Sequence, residues 1–431
     1  KYLKKYKFLI FIILIVVGIP IGMVLAITGF LPNIFDSMFP VDPQYIIRSM
    51  INGVDSFPIL AVPMFILSGN IMAKGKISEK LFNFFAYFIG NLTAGLPIAT
   101  IVTCLFYGAI SGSGPATTAA VGAMTIPILV GRGYDKTFCT SLVAVAGGLG
   151  VIIPPSIPFI FYGQSSGASV GNLFIAGVFP GILIGACLML YSWYYCKKNG
   201  EDKESLANYT KEMRKNGFLK LFLNSFWALL SPVIILGSIY SGIASPTEAA
   251  VISVFYSLIV AGFIYRTISF KDIKETLVES VKTYSSILFI IAAAIGFARV
   301  LTFYEAPEII ARAISSTVSS KIGFLIIVNI ILLFVGMIMD TTPAILILTS
   351  IFLPTAEVYG INPIHFGVIM VVNLAIGFVT PPLGVNLFVA SSISGVPIEK
   401  IVKKAVPFII SFVIALAIIT FVPSVSLALI K

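Results

Sequence analysis

The chain has 431 residues, of which 58% are hydrophobic and only 11% are charged, and its formal net charge is +10. This composition excludes a soluble globular domain and predicts an all-α protein that crosses the membrane several times. Lys and Arg lie in short loops between apolar stretches, so the positive charge does not indicate nucleic-acid binding. The four scattered cysteines, without a CxxC pair, indicate small apolar side chains rather than a metal site or disulfides.

The apolar stretches predict two similar halves, each preceded by supporting helices. In chain order we expect scaffold and interfacial helices over 1–93, and a first transport repeat over 97–195 with a hairpin (97–130), a broken helix (137–164) and a span (173–195). A polar cytoplasmic loop is expected over 196–220. Scaffold and arm helices follow over 221–320, in which an amphipathic stretch (266–282) precedes a span (284–303). A second transport repeat over 321–431 has a hairpin (321–357), a broken helix (364–394) and a span (405–430).

Landmark residues recur between these halves at a nearly constant spacing of 227 residues, as from Pro127 to Pro354. The pair Pro154-Pro155 has its counterpart in Pro381-Pro382 at the same spacing. Interrupted apolar segments at corresponding positions of two halves indicate the binding site of a secondary transporter.

The basic loops predict an orientation for the two hairpins. If these loops and the N-terminus are cytoplasmic, the first hairpin enters from inside and the second from outside. The loop after the second hairpin, 357–363, carries no Lys or Arg, as this inverted arrangement requires. The number of membrane crossings that this orientation requires depends on residues 81–93 lying at the interface without crossing.

Residues 339–343 form a polar tip between two apolar arms, and Asp340 supplies its carboxylate. An ionisable residue at membrane depth is costly and therefore indicates function. Pro343 suits the first turn of a new helix, with Thr342 before it as the N-cap. Asp340 is then either a cation ligand or a buried side chain that caps the hairpin.

Helix breaks offer two kinds of ligand. A helix that ends at mid-membrane presents carbonyl oxygens to a hard cation such as Na⁺, and one that begins there presents N–H groups to a carboxylate. Four breaks are expected to converge: the tip 111–115, the tip 340–343 and the two Pro-Pro bends. Arg299, toward the end of its span, either reaches the interface or faces an anionic substrate.

The stretches 111–118 and 150–156, together with 245–250, 339–343 and 377–384, resemble the large membrane subunit of TRAP (tripartite ATP-independent periplasmic) transporters. The resemblance covers nearly the whole chain. It implies an elevator-type, Na⁺-driven transporter of the bacterial inner membrane, without enzymatic activity or an organic cofactor. It also implies a separate small four-helix membrane subunit, a periplasmic substrate-binding protein, and organic acid substrates such as C4-dicarboxylates, sialic acid or other keto acids.

The resemblance further implies two Na⁺ sites, one at the first tip and the Pro154 bend and one at Asp340 and the Thr380 bend. The sodium-site candidates are Ser111, Gly112, Ser113, Gly150, Pro154, Asp340, Thr341, Gly377 and Thr380. The substrate-site candidates are Gly114, Thr117, Pro155, Ser156, Thr342, Pro382, Asn386 and Arg299.

Three alternatives remain open from the sequence. A stand-alone Na⁺/organic anion symporter of the same architecture would need no binding protein. A channel is also possible, but two pairs of helix breaks fit a transporter that works by alternating access better. An intramembrane enzyme lacks support, since there is one His, no HExxH and no paired Asp arrangement.

Overall fold

The computed structural model describes residues 10–430 except 12, 16, 36–40, 216, 318 and 319. These described residues are mostly helical, and they contain no strand. Eight of their helices are long and apolar enough to cross a bilayer, which confirms the predicted class of polytopic helical membrane protein.

The helices before the first hairpin are α1 (Ile21–Phe35), α2 (Pro43–Val54), α3 (Ala61–Lys74) and α4 (Ile77–Ile89). The first repeat contains α5 (Gly95–Ser111), α6 (Gly114–Val130), α7 (Lys136–Ala146), α8 (Ile157–Ser166) and α9 (Val170–Asn199). Between the repeats lie α10 (Lys203–Lys215), α11 (Phe218–Tyr240), α12 (Pro246–Leu258), α13 (Phe270–Phe303) and α14 (Ala306–Thr317). The second repeat contains α15 (Lys321–Ile338), α16 (Thr341–Val358), α17 (Pro363–Gly377), α18 (Val385–Ser394), α19 (Ile398–Phe421) and α20 (Ser424–Leu427).

Each repeat begins with two helices joined by a two-residue turn. Ser113 caps α6 by accepting a hydrogen bond from the Ala116 N–H, and Pro115 lies in the first turn, where its missing N–H costs nothing. Each hairpin is hydrogen-bonded to the interrupted part of the broken helix in its own repeat. Ile157 N–H donates to Gly112 O (3.3 Å), and Leu383 N–H donates to Met337 O (3.0 Å). Each hairpin therefore lies against the interruption of a helix, which is the arrangement expected of re-entrant hairpins.

The two repeats pack in a reciprocal way. Helix α8 of the first repeat packs on α16, the second arm of the other hairpin, and α18 packs on α6, the corresponding arm. Likewise α9 packs on α17, and α19 packs on α7. Each repeat thus completes the surroundings of the interrupted helix of the other repeat, and one continuous apolar core runs through both.

Several helix ends differ from the bounds expected from the sequence. The stretch 196–220 is mostly helical, because α9 continues to Asn199 and α10 follows, with its buried Leu206 and Thr210 on the face toward α4. From Phe270 onward, the amphipathic stretch and the span form the single 34-residue helix α13, since neither Pro nor Gly interrupts the junction between them. The last span starts earlier than expected, at Ile398, and ends at Phe421.

Candidate functional site

The first tip is a closed network of hydroxyl groups and backbone. Ser111 Oγ and Thr117 Oγ1 lie 2.9 Å apart, and Thr117 Oγ1 donates to Ser113 O at 2.8 Å. Gly112 joins the two arms at φ +61°, a left-handed conformation that favours glycine. The three hydroxyl side chains and the tip carbonyls therefore concentrate oxygen atoms at one point.

The bend of the first broken helix packs directly on this tip. A Cβ atom on Gly150 would meet Thr117 and would lie 2.7 Å from Ser113 O, and one on Gly112 would lie 2.9 Å from Pro155 O. Ser156 caps α8, accepting from Phe159 N–H at 3.3 Å and donating to Val151 O at 2.5 Å. The sequence-predicted residues of the first site thus lie together, and this bend is buried.

The second tip places Asp340 at the start of α16. Asp340 Oδ1 accepts the Thr341 N–H at 2.7 Å, so Asp340 is the N-cap. The prediction that Thr342 is the cap is wrong, because the carboxylate closes the helix end two residues earlier and leaves Thr342 and Pro343 inside the first turn. Among the described residues, no Lys or Arg forms an ion pair with Asp340, and Oδ2 accepts no hydrogen bond.

The second bend lies beside the end of α15. Gly377 allows α17 to approach α15 closely, since a Cβ atom there would meet the backbone of Gly336. Thr380 Oγ1 donates to Ile376 O at 2.8 Å, which keeps its lone pairs available. Pro381 and Pro382 are exposed, in contrast to Pro154 and Pro155, so the two bends differ in their access to the surroundings.

Contacts across the repeats unite the two sites in one central region. Asn386, at the start of α18, donates its side-chain N–H to Ala144 O at 3.0 Å in the first repeat. Its Oδ1 is buried and has no hydrogen-bond partner among the described residues. Gly114 at the first tip faces the ring of Phe378 in the second bend. Four helix breaks therefore meet around a common centre.

Arg299 does not join this centre. It lies on α13 in a separate cavity that it shares with Gln164 of α8 and Ser350 of α16. The structure therefore separates this candidate from the other substrate-site candidates.

Sequence reasoning missed a buried amide pair next to the second site. Asn373 of α17 donates to Asn329 Oδ1 of α15 at 2.7 Å, and Asn373 Oδ1 has no hydrogen-bond partner among the described residues. The signal that could have identified both residues is an uncharged amide inside an otherwise apolar helix, where polar side chains require partners.

The family model for the DctM component of the tripartite ATP-independent periplasmic transporter matches residues 8–425. The chain belongs to this family. Among its relatives, the Pseudomonas aeruginosa C4-dicarboxylate TRAP transporter large permease protein is 42% identical over 87% of this chain and 86% of the relative. The Escherichia coli 2,3-diketo-L-gulonate TRAP transporter large permease protein is 35% identical over 95% and 94%.

A third relative is the isethionate TRAP transporter permease protein of Oleidesulfovibrio alaskensis, 43% identical over 96% of this chain. The chain spans 64% of the length of that relative. Among solved structures, the YdaH transporter of Alcanivorax borkumensis matches with a TM-score of 0.58 at 13% identity, over 93% of this chain and 96% of that one. At this identity the match shows the fold alone.

The donor set of this TRAP permease suits a hard cation. Carboxylate, hydroxyl and carbonyl oxygens are the ligands such ions take. The first tip contributes Ser111, Ser113 and Thr117, and the second contributes Asp340 and the Thr380 bend. Helix ends at both bends add carbonyls that lack intrahelical partners. The residues present therefore fit two cation sites, of which only the second contains a carboxylate.

Proposed function

We propose that this TRAP permease takes up an organic acid anion together with Na⁺. The observation that supports this most directly is Asp340, a half-buried carboxylate at a helix break without an ion-pair partner among the described residues. A charge at this depth is stabilised when a cation binds beside it. A bound Na⁺ would supply that cation, which makes loading of the site depend on Na⁺.

Two Na⁺ ions fit this proposal, one in each repeat. The first would be held by the tip residues Ser111, Gly112 and Ser113 with the bend at Gly150 and Pro154. The second would be held by Asp340 and Thr341 with the bend between Gly377 and Thr380. The reciprocal packing of the repeats supports two sites that load together, because each half-helix is positioned by the other hairpin.

The anion would bind between the two ion sites. Helices α6, α8, α16 and α18 all begin near this centre, and their N-terminal N–H groups favour a negative group. The substrate candidates Gly114, Thr117, Ser156, Thr342 and Asn386 lie in their first turns or caps, next to Pro155 and Pro382. The names of the relatives support an organic anion, since they mention C4-dicarboxylate, diketogulonate and isethionate.

For the transport cycle we infer an elevator movement, in which the two repeats slide together against α1–α4 and α11–α14. The shared core of the repeats supports their movement as one body. The chain would reside in the bacterial inner membrane with its N-terminus in the cytoplasm. It would work with a small four-helix membrane subunit and a periplasmic protein that delivers the anion, as the tripartite family description suggests.

Uptake of labelled succinate and isethionate into proteoliposomes tests the proposal. The complete complex, with its binding protein, should accumulate an anion under an inward Na⁺ gradient and not under an equal K⁺ gradient. Equal accumulation under both gradients would contradict Na⁺ coupling. Omission of the binding protein should abolish uptake, whereas undiminished uptake would favour the stand-alone symporter.

A further inference from the structure

A polar cavity lies away from the helix breaks, between α13 and the two repeats. It has a volume of about 190 Å³, and its polar lining consists of Arg299 and Thr302 from α13, Gln164 and Ser165 from α8, and Ser350 from α16. We call it the Arg299 cavity. A water needs only about 10–15 Å³ by this measure, so the cavity has room for a small organic anion.

Two side chains of the Arg299 cavity have free hydrogen-bond donors. Arg299 has no ion pair or hydrogen bond among the described residues, and no acidic residue lines the cavity. Ser56 Oγ donates a hydrogen bond to Gln164 Oε1 at 3.0 Å, which leaves the amide N–H groups of Gln164 as additional donors. The hydroxyls of Thr302 and Ser350 donate to carbonyls of their own helices, and that of Ser165 donates to Leu346 O at 3.4 Å, so these three offer only lone pairs to the cavity. The donors available to an anion are therefore those of Arg299 and Gln164. A positive charge with free donors and without a carboxylate suits an oxyanion.

The position of the cavity connects it to the central site. Ser350 lies nine residues after the start of α16 at Thr341, which is about 14 Å along that helix at 1.5 Å per residue. The cavity is thus distinct from the Asp340 tip but borders the same helix. Gln164 lies in the last turn of α8 and Ser350 lies at the middle of α16, so the cavity lies between the tip and the end of α16 that leads to the loop 357–363, which carries no Lys or Arg. The basic-loop pattern places that end on the outer face.

We propose that the Arg299 cavity is an outer binding site for the carboxylate or sulfonate group of the transported anion, occupied before the anion reaches the tips. The inference rests on the proposed function for the identity of its ligand. Arg299 belongs to α13, outside the repeats, whereas Gln164 and Ser350 belong to them. An anion held here bridges the two parts, and movement of the repeats would separate its donors and release it.

Cysteine protection tests this site in the intact transporter without requiring transport. Thr302→Cys is placed in a Cys187→Ser background, since the other three native cysteines are buried, and is labelled with a maleimide. Succinate or isethionate should slow labelling at Thr302→Cys but not at Ser316→Cys, an exposed control on α14. Adding Arg299→Gln should raise the half-protecting concentration roughly 10- to 100-fold, the range for losing a charge-assisted hydrogen bond. Arg312→Gln, an exposed arginine on α14, should leave it unchanged.

Two results would overturn the proposal: no protection by either anion, or the same protection with Arg299→Gln. Arg299→Lys should retain part of the affinity, because it keeps the charge and loses the bidentate geometry. Labelling is measured with choline in place of Na⁺ and repeated with Asp340→Asn. If protection persists in choline and in Asp340→Asn while uptake proves independent of Na⁺, the proposed Na⁺ coupling is refuted and the proposal of an outer anion site still stands.

Discussion

Replacement of Asp340 by Asn separates the two roles that the sequence leaves open for this residue. Asn caps a helix about as well as Asp, so the hydrogen bond from the Thr341 N–H is retained and the folded state should keep its stability. The charge is lost, and the Asn side chain would present an N–H group where Oδ2 now offers a lone pair. The variant therefore changes the electrostatics of the tip with little change in its geometry.

The size of the effect follows from Coulomb's law. A carboxylate and a monovalent cation about 4 Å apart attract each other by about 4 kcal/mol at an effective dielectric constant of 20. This corresponds to roughly a thousand-fold in Na⁺ affinity, and the desolvation of the carboxylate reduces the net loss. We therefore expect Asp340→Asn to raise the Na⁺ concentration for half-maximal uptake at least about tenfold.

The assay compares three variants in proteoliposomes and by thermal unfolding. Asp340→Ala removes the cap as well as the charge, so it should also destabilise the protein by about 1 kcal/mol. Asp135→Asn at the N-cap of α7, where the side chain likewise accepts backbone N–H groups, is the matched control and should change neither quantity. If Asp340→Asn retained the Na⁺ dependence of the wild type, the carboxylate would be only a cap, and the reasoning would be refuted.

Two further predictions concern backbone geometry and a polar contact outside the membrane. Gly112→Ala should lower the melting temperature more than Gly167→Ala, because both glycines have positive φ but only the Cβ at Gly112 meets Pro155 O; equal losses in thermal unfolding would show that the contact relaxes freely. Tyr134→Phe should destabilise the protein by about 1.5–3 kcal/mol, since it removes the 2.6 Å hydrogen bond to Glu201. Burial and this hydrogen bond raise the pKa of Tyr134 above its usual value of about 10. The stabilisation from Tyr134 is therefore complete below about pH 10 and is lost as the pH rises through the folded pKa. An equal loss of stability with rising pH in Tyr134→Phe and the wild type would contradict this.

Local chemistry explains why much of the fold could be predicted from the sequence. Ser113 and Pro115 mark a helix start within their own segment, and Ser245 and Glu248, three residues apart, form a capping box at the start of α12. Helices α7 and α17 both end before a pair of prolines, at Ala146 and Gly377, and neither resumes until after the pair, because proline lacks the N–H that the helical hydrogen bonds require. Such signals need no knowledge of tertiary structure.

The remaining features depend on partners that are distant in sequence. Whether Asp340 or Thr342 caps α16 is decided by how the second arm meets the end of α15, which no local pattern specifies. The hydrogen bond from Asn386 to Ala144 and the contact of Gly114 with Phe378 join separate repeats. The placement of Arg299 in its own cavity depends on how α13 packs against α16, so the sequence left its role open.

The exchange of packing partners between the repeats has a consequence for biosynthesis. When the ribosome has completed α8, the surface of α8 that α16 will cover still faces lipid or another temporary neighbour, because α16 has not been translated. The first half of the polypeptide must therefore wait in the membrane in an incomplete state. Separately expressed halves should be degraded when alone and should protect each other when they are produced in the same cell.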